Sequence, residues 1–304
     1  MKNDNAAGHL LASLTVLLWG TTFVSTKVLL ENDFSPLEIL FYRFVLGTVA
    51  LILIYPHFLK GTTLRQEFVL ATAGLFGVTL YYLLENIALD YTFASNVALI
   101  ASLAPFFTMV LAYWFLKEEQ LKPAFFAGFL ISITGIALIS FNGSTTLEFN
   151  LFGDFLALLA GFTWAVYSIL CKKISAYGFN TIQTTQRTFM YGLCFMLLAL
   201  PFLEFNWRPA LFLNPVNSLN LIFLGLGASA MCFVTWNLAL KRLGAIKVSF
   251  YIYLVPVITV IASIIVLHEH INWMSGTGIV LTLSGLLISK IERKKKHISP
   301  EEIK

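Results

Sequence analysis

Across 304 residues the chain is 58% hydrophobic and 12% charged, with a mean hydropathy of +0.81. A soluble 34.0 kDa protein needs far more polar cover, so the composition excludes a soluble globular domain and implies an integral membrane protein. The net charge of +4 is too small and too clustered at segment ends to suggest a nucleic-acid partner.

Apolar runs long enough to cross about 30 Å of hydrocarbon predict ten helices, roughly at 8–30, 36–56, 67–89, 93–116, 122–140, 151–174, 181–203, 219–240, 244–267 and 272–290. The runs are continuously apolar and too long for the alternating strands of a barrel, so helices are the spanning element. The polar Met1–Gly8 stretch is short and no small-residue cleavage site follows the first run, which is therefore expected to be a retained helix. On that helix Thr15, Trp19, Thr22 and Thr26 fall on one stripe, with Lys27 beyond them. The second span carries Arg43 about a third of the way along, and the third carries Tyr81, Tyr82, Glu85 and Asn86. Asn96 opens the fourth, whose middle holds Pro105, and the fifth has a small-residue face of Gly128, Ser132 and Gly135.

Trp164 and Tyr167 lie on the sixth span, ahead of Lys172, and Gln183, Arg187 and Tyr191 are spaced by four on the seventh. The eighth ends with Trp236 and Asn237, the ninth contains Tyr251, Tyr253 and a mid-span Pro256, and the tenth bears Gly276, Gly278 and Gly285. Cys171, Cys194 and Cys232 are read as small apolar packers. The longest loop, of about fifteen residues near Glu204–Ser218, leaves no room for a soluble catalytic domain.

The two halves repeat. Sliding residues 86–118 by 151 positions superposes Asn86 on Asn237, Ala94 on Ala245, Pro105 on Pro256, Thr108 on Thr259 and Glu118 on Glu269, with ten identities over thirty-three positions. A second register of 145 joins Trp19 to Trp164 and Lys27 to Lys172. Five helices per copy force the second copy to enter the membrane from the opposite side, so the expected fold is all-α, with ten transmembrane helices in two inverted five-helix repeats. The first repeat covers 1–146 and the second 147–290, followed by a basic tail at 291–304. Sixteen lysines and arginines fall on one side of this topology and Arg208 alone on the other, which predicts both termini in the cytoplasm. The Lys290–Lys296 cluster then flanks the last helix beside anionic lipid.

The "LLWGTTF" of the first helix, the "FYRF" of the second and "NIALDYTFASNVALIASLAPFFTMVLAYWFLKEE" across the third and fourth resemble the EamA branch of the drug/metabolite transporter superfamily. The second copy, "WNLALKRLGAIKVSFYIYLVPVITVIASIIVLHEH", is similar but diverges around Gly244–Lys247. The resemblance implies a secondary carrier for amino acids, other small metabolites or toxic organic compounds, often outward. It also implies that helices five and ten support the others from outside.

The residues point to a carrier independently. No Gly-Lys-Ser/Thr phosphate loop is present to bind ATP, and inverted repeats without an energy-coupling domain fit alternating access around a midplane site. Pro105 and Pro256 are expected to kink or open their helices at that depth. The candidate cavity residues are Trp19, Thr22, Thr26, Arg43, Tyr82, Glu85, Asn86, Asn96, Trp164, Tyr167, Gln183, Arg187, Trp236, Asn237 and Tyr253. An ionisable group in hydrocarbon costs several kcal/mol (about 2.5–3.5 by insertion scales) unless paired or hydrated. Each arginine is thus either a ligand for a substrate carboxylate or an anchor for helix ends, and Glu85 either binds a cation or carries a coupling proton. The polar stripes line a cavity or bond neighbouring helices. His268-Glu269-His270 reads as a capped turn, not a metal site, and no cofactor is called for. The small-residue faces on helices five and ten pack within the chain or pair two copies as a homodimer. A passive channel and, last, a membrane-embedded enzyme are the competing functions.

Overall fold

The computed structural model describes residues 2–115, 123–141, 151–206, 208–269 and 272–289, which form helices and turns with no strand among them. Lys117, Glu118, Glu119, Lys122, His270, Lys290 and the tail at 291–304 lie outside the described residues. The α-helices are α1 (Lys2–Glu31), α2 (Pro36–Ile54), α3 (Leu64–Gly74), α4 (Tyr81–Tyr91), α5 (Ala94–Ala101), α6 (Ala104–Phe115) and α7 (Pro123–Phe141) in the first half. The second half holds α8 (Leu151–Ser175), α9 (Thr181–Ala199), α10 (Pro215–Ile222), α11 (Cys232–Leu243), α12 (Ala245–Ser249), α13 (Val255–Val266) and α14 (Trp273–Ser289). Counted as continuous helical segments, seven are long and apolar enough to cross a membrane, and shorter apolar helices lie at Pro123–Gly135 and Gly276–Gly285.

Local chemistry fixes the ends. Ser35 and Glu38 form a capping box in front of α2, with Pro36 at its start, and Thr63 and Gln66 form another at α3. The Glu38 carboxylate, 1% exposed, also accepts from Asn206 N at 2.9 Å and pairs with Arg208 at 3.0 Å. The single cation of the long 204–218 loop is thereby bound to the start of α2. Asn214 caps α10 ahead of Pro215, so the span expected at 219–240 begins earlier. Gly244, at φ +85°, supplies the turn between α11 and α12 that other residues rarely adopt.

α3 and α4 are one continuous span joined by a π-helical stretch, Leu75–Leu80, and a second, Phe223–Met231, joins α10 to α11. Shifted by 151, the first falls on Leu226–Met231, inside the second. Both copies therefore widen the same turns, which relieves crowding where a neighbour crosses closely. At those crossings a Cβ on Gly74 would lie 2.6 Å from Thr188 O in α9, and one on Gly225 would lie 3.2 Å from Arg43 O in α2. Thr188 and Arg43 are mates in the 145 register.

Several other register mates touch each other. Trp19 packs edge-on against Trp164 with centroids 5.1 Å apart, Phe44 against Phe189 at 4.8 Å, and Tyr82 lies 6.1 Å from Phe233. A residue can meet its own repeat mate only near the axis relating the two copies, so these six rings mark the middle of the bundle.

The two spans with mid-length prolines are broken at matching places. Ser102 and Leu103 interrupt the first between α5 and α6, leaving Pro105 as the second residue of α6. In the second, a 3-10 stretch at Phe250–Leu254 separates α12 from α13, and Pro256 is again the second residue of the helix that follows. Proline's missing donor costs nothing in a first turn, where that N–H has no intrahelical partner.

α7 and α14 pack on each other. A Cβ on Gly135 would meet Gly278 O at 2.6 Å, and Ser132 Oγ donates to Thr282 O at 3.1 Å. The small-residue faces considered for a homodimer thus make contact within this chain. At one end of the bundle the turn at Thr92–Phe93 is held from two sides. Lys27 Nζ donates to Leu89 O (2.6 Å) and Thr92 O (3.4 Å), while Glu269 accepts from Ala94 N (2.8 Å) and Ser95 Oγ (2.6 Å). A cation on the carbonyl end of α4 and a carboxylate on the amide end of α5 each match the local helix dipole.

Candidate functional site

Where the two broken spans meet α1, α4 and α8, an aromatic cavity opens. It holds about 460 Å³ of atom-free space, its open mouth included. Trp19 and Thr22 come from α1, Tyr81, Tyr82 and Glu85 from α4, and Trp164 from α8. Ser102 lies in one helix break with Ala104 just after it, and Ile252 lies in the 3-10 stretch of the other with Val255 just after it. The prolines set the break, and their neighbours form the wall.

The rings are in mutual contact. Tyr81 lies 4.8 Å from Trp164, and Trp236 closes behind Trp19 at 5.0 Å. The Trp19 indole donates to Ala228 O at 3.0 Å, whereas the indole nitrogens of Trp164 and Trp236 are buried with no hydrogen-bond partner among the described residues. Glu85 stands in this wall 1% exposed, and neither carboxylate oxygen has a hydrogen-bond partner there. The polar groups acting on it are the Tyr81 hydroxyl and the Arg43 guanidinium. A buried charged group left so poorly satisfied costs several kcal/mol, roughly 3–5 where one partner of a buried pair is missing.

Arg43 is fully buried but does not line the cavity. Its Nε donates to Ser229 at 3.1 Å, linking α2 to the second π-helical stretch, and its Cζ sits 4.2 Å from the centre of the Tyr82 ring. Both terminal nitrogens lack hydrogen-bond partners among the described residues, so Arg43 and Glu85 offset each other through space without a hydrogen bond.

The remaining candidates divide by location. Thr22 lines the cavity but turns its hydroxyl to Trp19 O, and Thr26 is buried with its hydroxyl unpartnered. Tyr167 sits behind Trp164 at 5.1 Å and exchanges hydrogen bonds with Asn237 (3.2 and 3.3 Å). Asn237 itself lines a second recess of about 370 Å³ with Thr184, Thr188 and Lys241, on the other side of the ring layer.

Five further candidates also line neither recess. Asn86 donates to Pro36 O (3.0 Å), tying α4 to α2, and Asn96 bonds Thr92 within the turn. Tyr253 belongs to a separate apolar cluster with Leu103, Phe106 and Phe125. Gln183 donates to His57 O (3.1 Å), and Arg187 donates to Leu59 O (2.9 Å) and approaches Glu67 at 3.7 Å, so this stripe holds the 55–63 connection. Thr15 likewise bonds Thr235 on α11 (2.7 Å).

Sequence reasoning passed over Phe233 and Ser229. Phe233 contacts the rings of Trp19, Phe44, Tyr82, Trp164, Tyr167 and Phe189, yet phenylalanine in so apolar a chain carries no signal by itself. Its register mate is Tyr82, which does carry one. Ser229 stands opposite Val78 in the same register, and that mismatch marks where Arg43 finds its acceptor.

The family model of the EamA-like transporter family matches the chain twice, over residues 6–141 and 151–290. The chain belongs to this family. An uncharacterized transporter of Archaeoglobus fulgidus is 31% identical over 293 residues, covering 94% of this chain and 98% of its own length. A probable terminal-alkyne amino-acid exporter of Streptantibioticus cattleyicolor is 26% identical and covers 90% of each chain. A solved crystal structure superposes with a TM-score of 0.69 at 19% identity, over 94% of this chain and 98% of that one, a likeness of fold. The chain is therefore a multi-pass membrane transporter, with relatives named for transport and not for catalysis.

Proposed function

We propose that this transporter is a secondary carrier of small metabolites, amino acids or toxic organic compounds, working outward across the cytoplasmic membrane by alternating access. It crosses the bilayer ten times as two inverted five-helix repeats with both termini in the cytoplasm. α7, α9 and α14 supply the crossings beyond the seven long apolar segments. The positive-inside bias and the ring contacts between register mates support this arrangement. The aromatic cavity is the substrate site, and Pro105 and Pro256 are the points at which its walls rock. Glu85 carries the coupling proton, while Arg43 anchors α2 and balances the carboxylate.

The observation that carries this reading is the buried, unpartnered Glu85 carboxyl in a cavity walled by the breaks of both repeats. A purely structural carboxyl would be paired at such a depth, and an unpaired one implies an occupant. Export agrees with the name of the Streptantibioticus relative.

The test is counterflow in proteoliposomes of the purified chain, using the compound that most raises its thermal midpoint among amino acids, nucleosides and organic cations. A carrier gives saturable uptake that rises when the same compound is preloaded inside. Non-saturable flux without that stimulation would make the protein a passive channel.

A further inference from the structure

The cavity wall is chemically one-sided. We propose that it selects an organic ammonium ion, an amine on an aromatic or apolar body, over an amino acid of the same shape. The proposal rests on reading the cavity as the substrate site and goes on to name what that site takes.

Glu85 is the one ionic side chain among the described residues lining the cavity, and it offers two buried acceptor oxygens without partners. Trp19, Trp164 and Tyr81 surround the same space in mutual contact. Ring faces attract ammonium groups most strongly where water is excluded, so carboxylate and rings favour the same ligand charge. An amine's three donors also match an acceptor-only wall group.

A substrate carboxylate meets the reverse situation. The hydroxyls of Thr22 and Ser102 already donate to their own helix, at 2.7 Å to Trp19 O and 2.5 Å to Leu99 O. The Trp19 indole is engaged by Ala228 O. That leaves the Trp164 N–H as the free neutral donor, with the Tyr81 phenol already acting on Glu85. The neighbouring cations lie outside the lining: Arg43 rests over Tyr82 with its Nε on Ser229, where its charge offsets Glu85, and Lys27 is bonded to the carbonyls of Leu89 and Thr92. An α-amino acid would bring its ammonium to Glu85 and leave its carboxylate desolvated without a cation, which is penalised heavily.

Three probes sharing one ring separate the alternatives: 2-phenylethylamine, phenylalanine and 2-phenylethanol, titrated calorimetrically into the purified full chain in detergent. The amine is expected to bind, with the amino acid and the alcohol each weaker by about tenfold or more. Glu85→Gln is expected to weaken the amine by about 10- to 100-fold, the range of a charge-assisted hydrogen bond, and to leave the alcohol unchanged. The wild-type ranking stands even if that variant folds poorly. Phenylalanine binding as tightly as the amine overturns the proposal, since the wall must then hold a carboxylate. The alcohol matching the amine overturns it as well, because the cavity is then merely apolar, and so does the absence of binding by all three at millimolar concentration. None of these results touches the carrier reading, which is decided by counterflow.

Discussion

Substituting Gly74 by alanine tests whether the close approach of the two repeats is built on glycine. The added Cβ would lie 2.6 Å from Thr188 O and 2.9 Å from Gly192 N, both main-chain atoms of α9, so no rotamer change relieves the clash. The helices must part by roughly 0.5–1 Å to restore van der Waals contact. That shift also stretches the buried bond from Thr79 Oγ1 to Gly192 O, now 2.9 Å. Overpacking of this kind costs about 1–3 kcal/mol, and the better helix propensity of alanine returns at most about 1 kcal/mol. Gly276 provides the control, because a Cβ there meets nothing within 4 Å. The expected order of thermal midpoints is Gly276→Ala at or above wild type and Gly74→Ala several degrees below. A thiol-reactive dye can follow both in a Cys194→Ser background, since Cys194 is exposed while Cys171 and Cys232 are buried and free and react when the bundle opens. A Gly74→Ala midpoint equal to that of wild type would refute the argument that this crossing is limited by backbone contact.

Glu85→Gln is expected to abolish uptake driven by a pH gradient while leaving exchange across liposomes at substrate concentrations raised to saturate the weakened site, and unchanged gradient-driven uptake removes Glu85 from coupling. Arg43→Lys keeps the charge but loses the planar group over Tyr82 and the Nε bond to Ser229. It should lower thermal stability by about 1–2 kcal/mol with little change in substrate affinity, and an affinity loss above tenfold in folded protein would make Arg43 a ligand instead. Glu269→Ala strips the carboxylate from the start of α5 and should cost about 1–2 kcal/mol, read as a lower thermal midpoint. Arg187→Ala frees the 55–63 connection, and the expected outcome is faster protease cleavage there with unaltered transport affinity.

Much of the fold was legible because hydropathy in a bilayer is a blunt and reliable constraint. Runs of twenty apolar residues have few alternatives to crossing, and seven helical segments of that kind stand among the described residues. Proline positions were equally readable, since a missing donor inside an apolar span is tolerated only where one helix ends and the next begins, as at Pro105 and Pro256. Side-chain direction was less so. Gln183 and Arg187 share a helical stripe with Tyr191, which made a cavity plausible, but the stripe faces the 55–63 connection, whose bare carbonyls of His57 and Leu59 needed donors. Asn86 was similarly ambiguous: an amide inside a span satisfies either a ligand or a neighbouring helix, and here it donates to the Pro36 carbonyl at the start of α2. Periodicity says which residues share a face and nothing about what that face meets.

The register explains why the chemistry lies where it does. Residues identical or alike in both copies, Trp19 with Trp164, Phe44 with Phe189 and Tyr82 with Phe233, meet at the centre and hold the copies together. Charge cannot be placed that way, because a carboxylate repeated across the axis would face its own mate in hydrocarbon at a cost of several kcal/mol, about 4 at 4 Å for an effective dielectric of 20. The polar groups instead break the repeat. Glu85 stands opposite Trp236, Arg43 opposite Thr188 and Ser229 opposite Val78. The three departures fall on α4, α2 and the second π-helical stretch: Glu85 lines the cavity, Arg43 rests against Tyr82 of its wall, and Ser229 holds Arg43. On the carrier reading proposed above, the symmetric scaffold would let the two halves exchange roles, while the unsymmetric trio would give the single site a fixed sign. Swapping the pair, with Glu85→Trp and Trp236→Glu together, should therefore move amine binding from the Tyr81 side of the layer to the Tyr167 side. Retained binding that still depends on Tyr81 would show that the sign of the site comes from elsewhere.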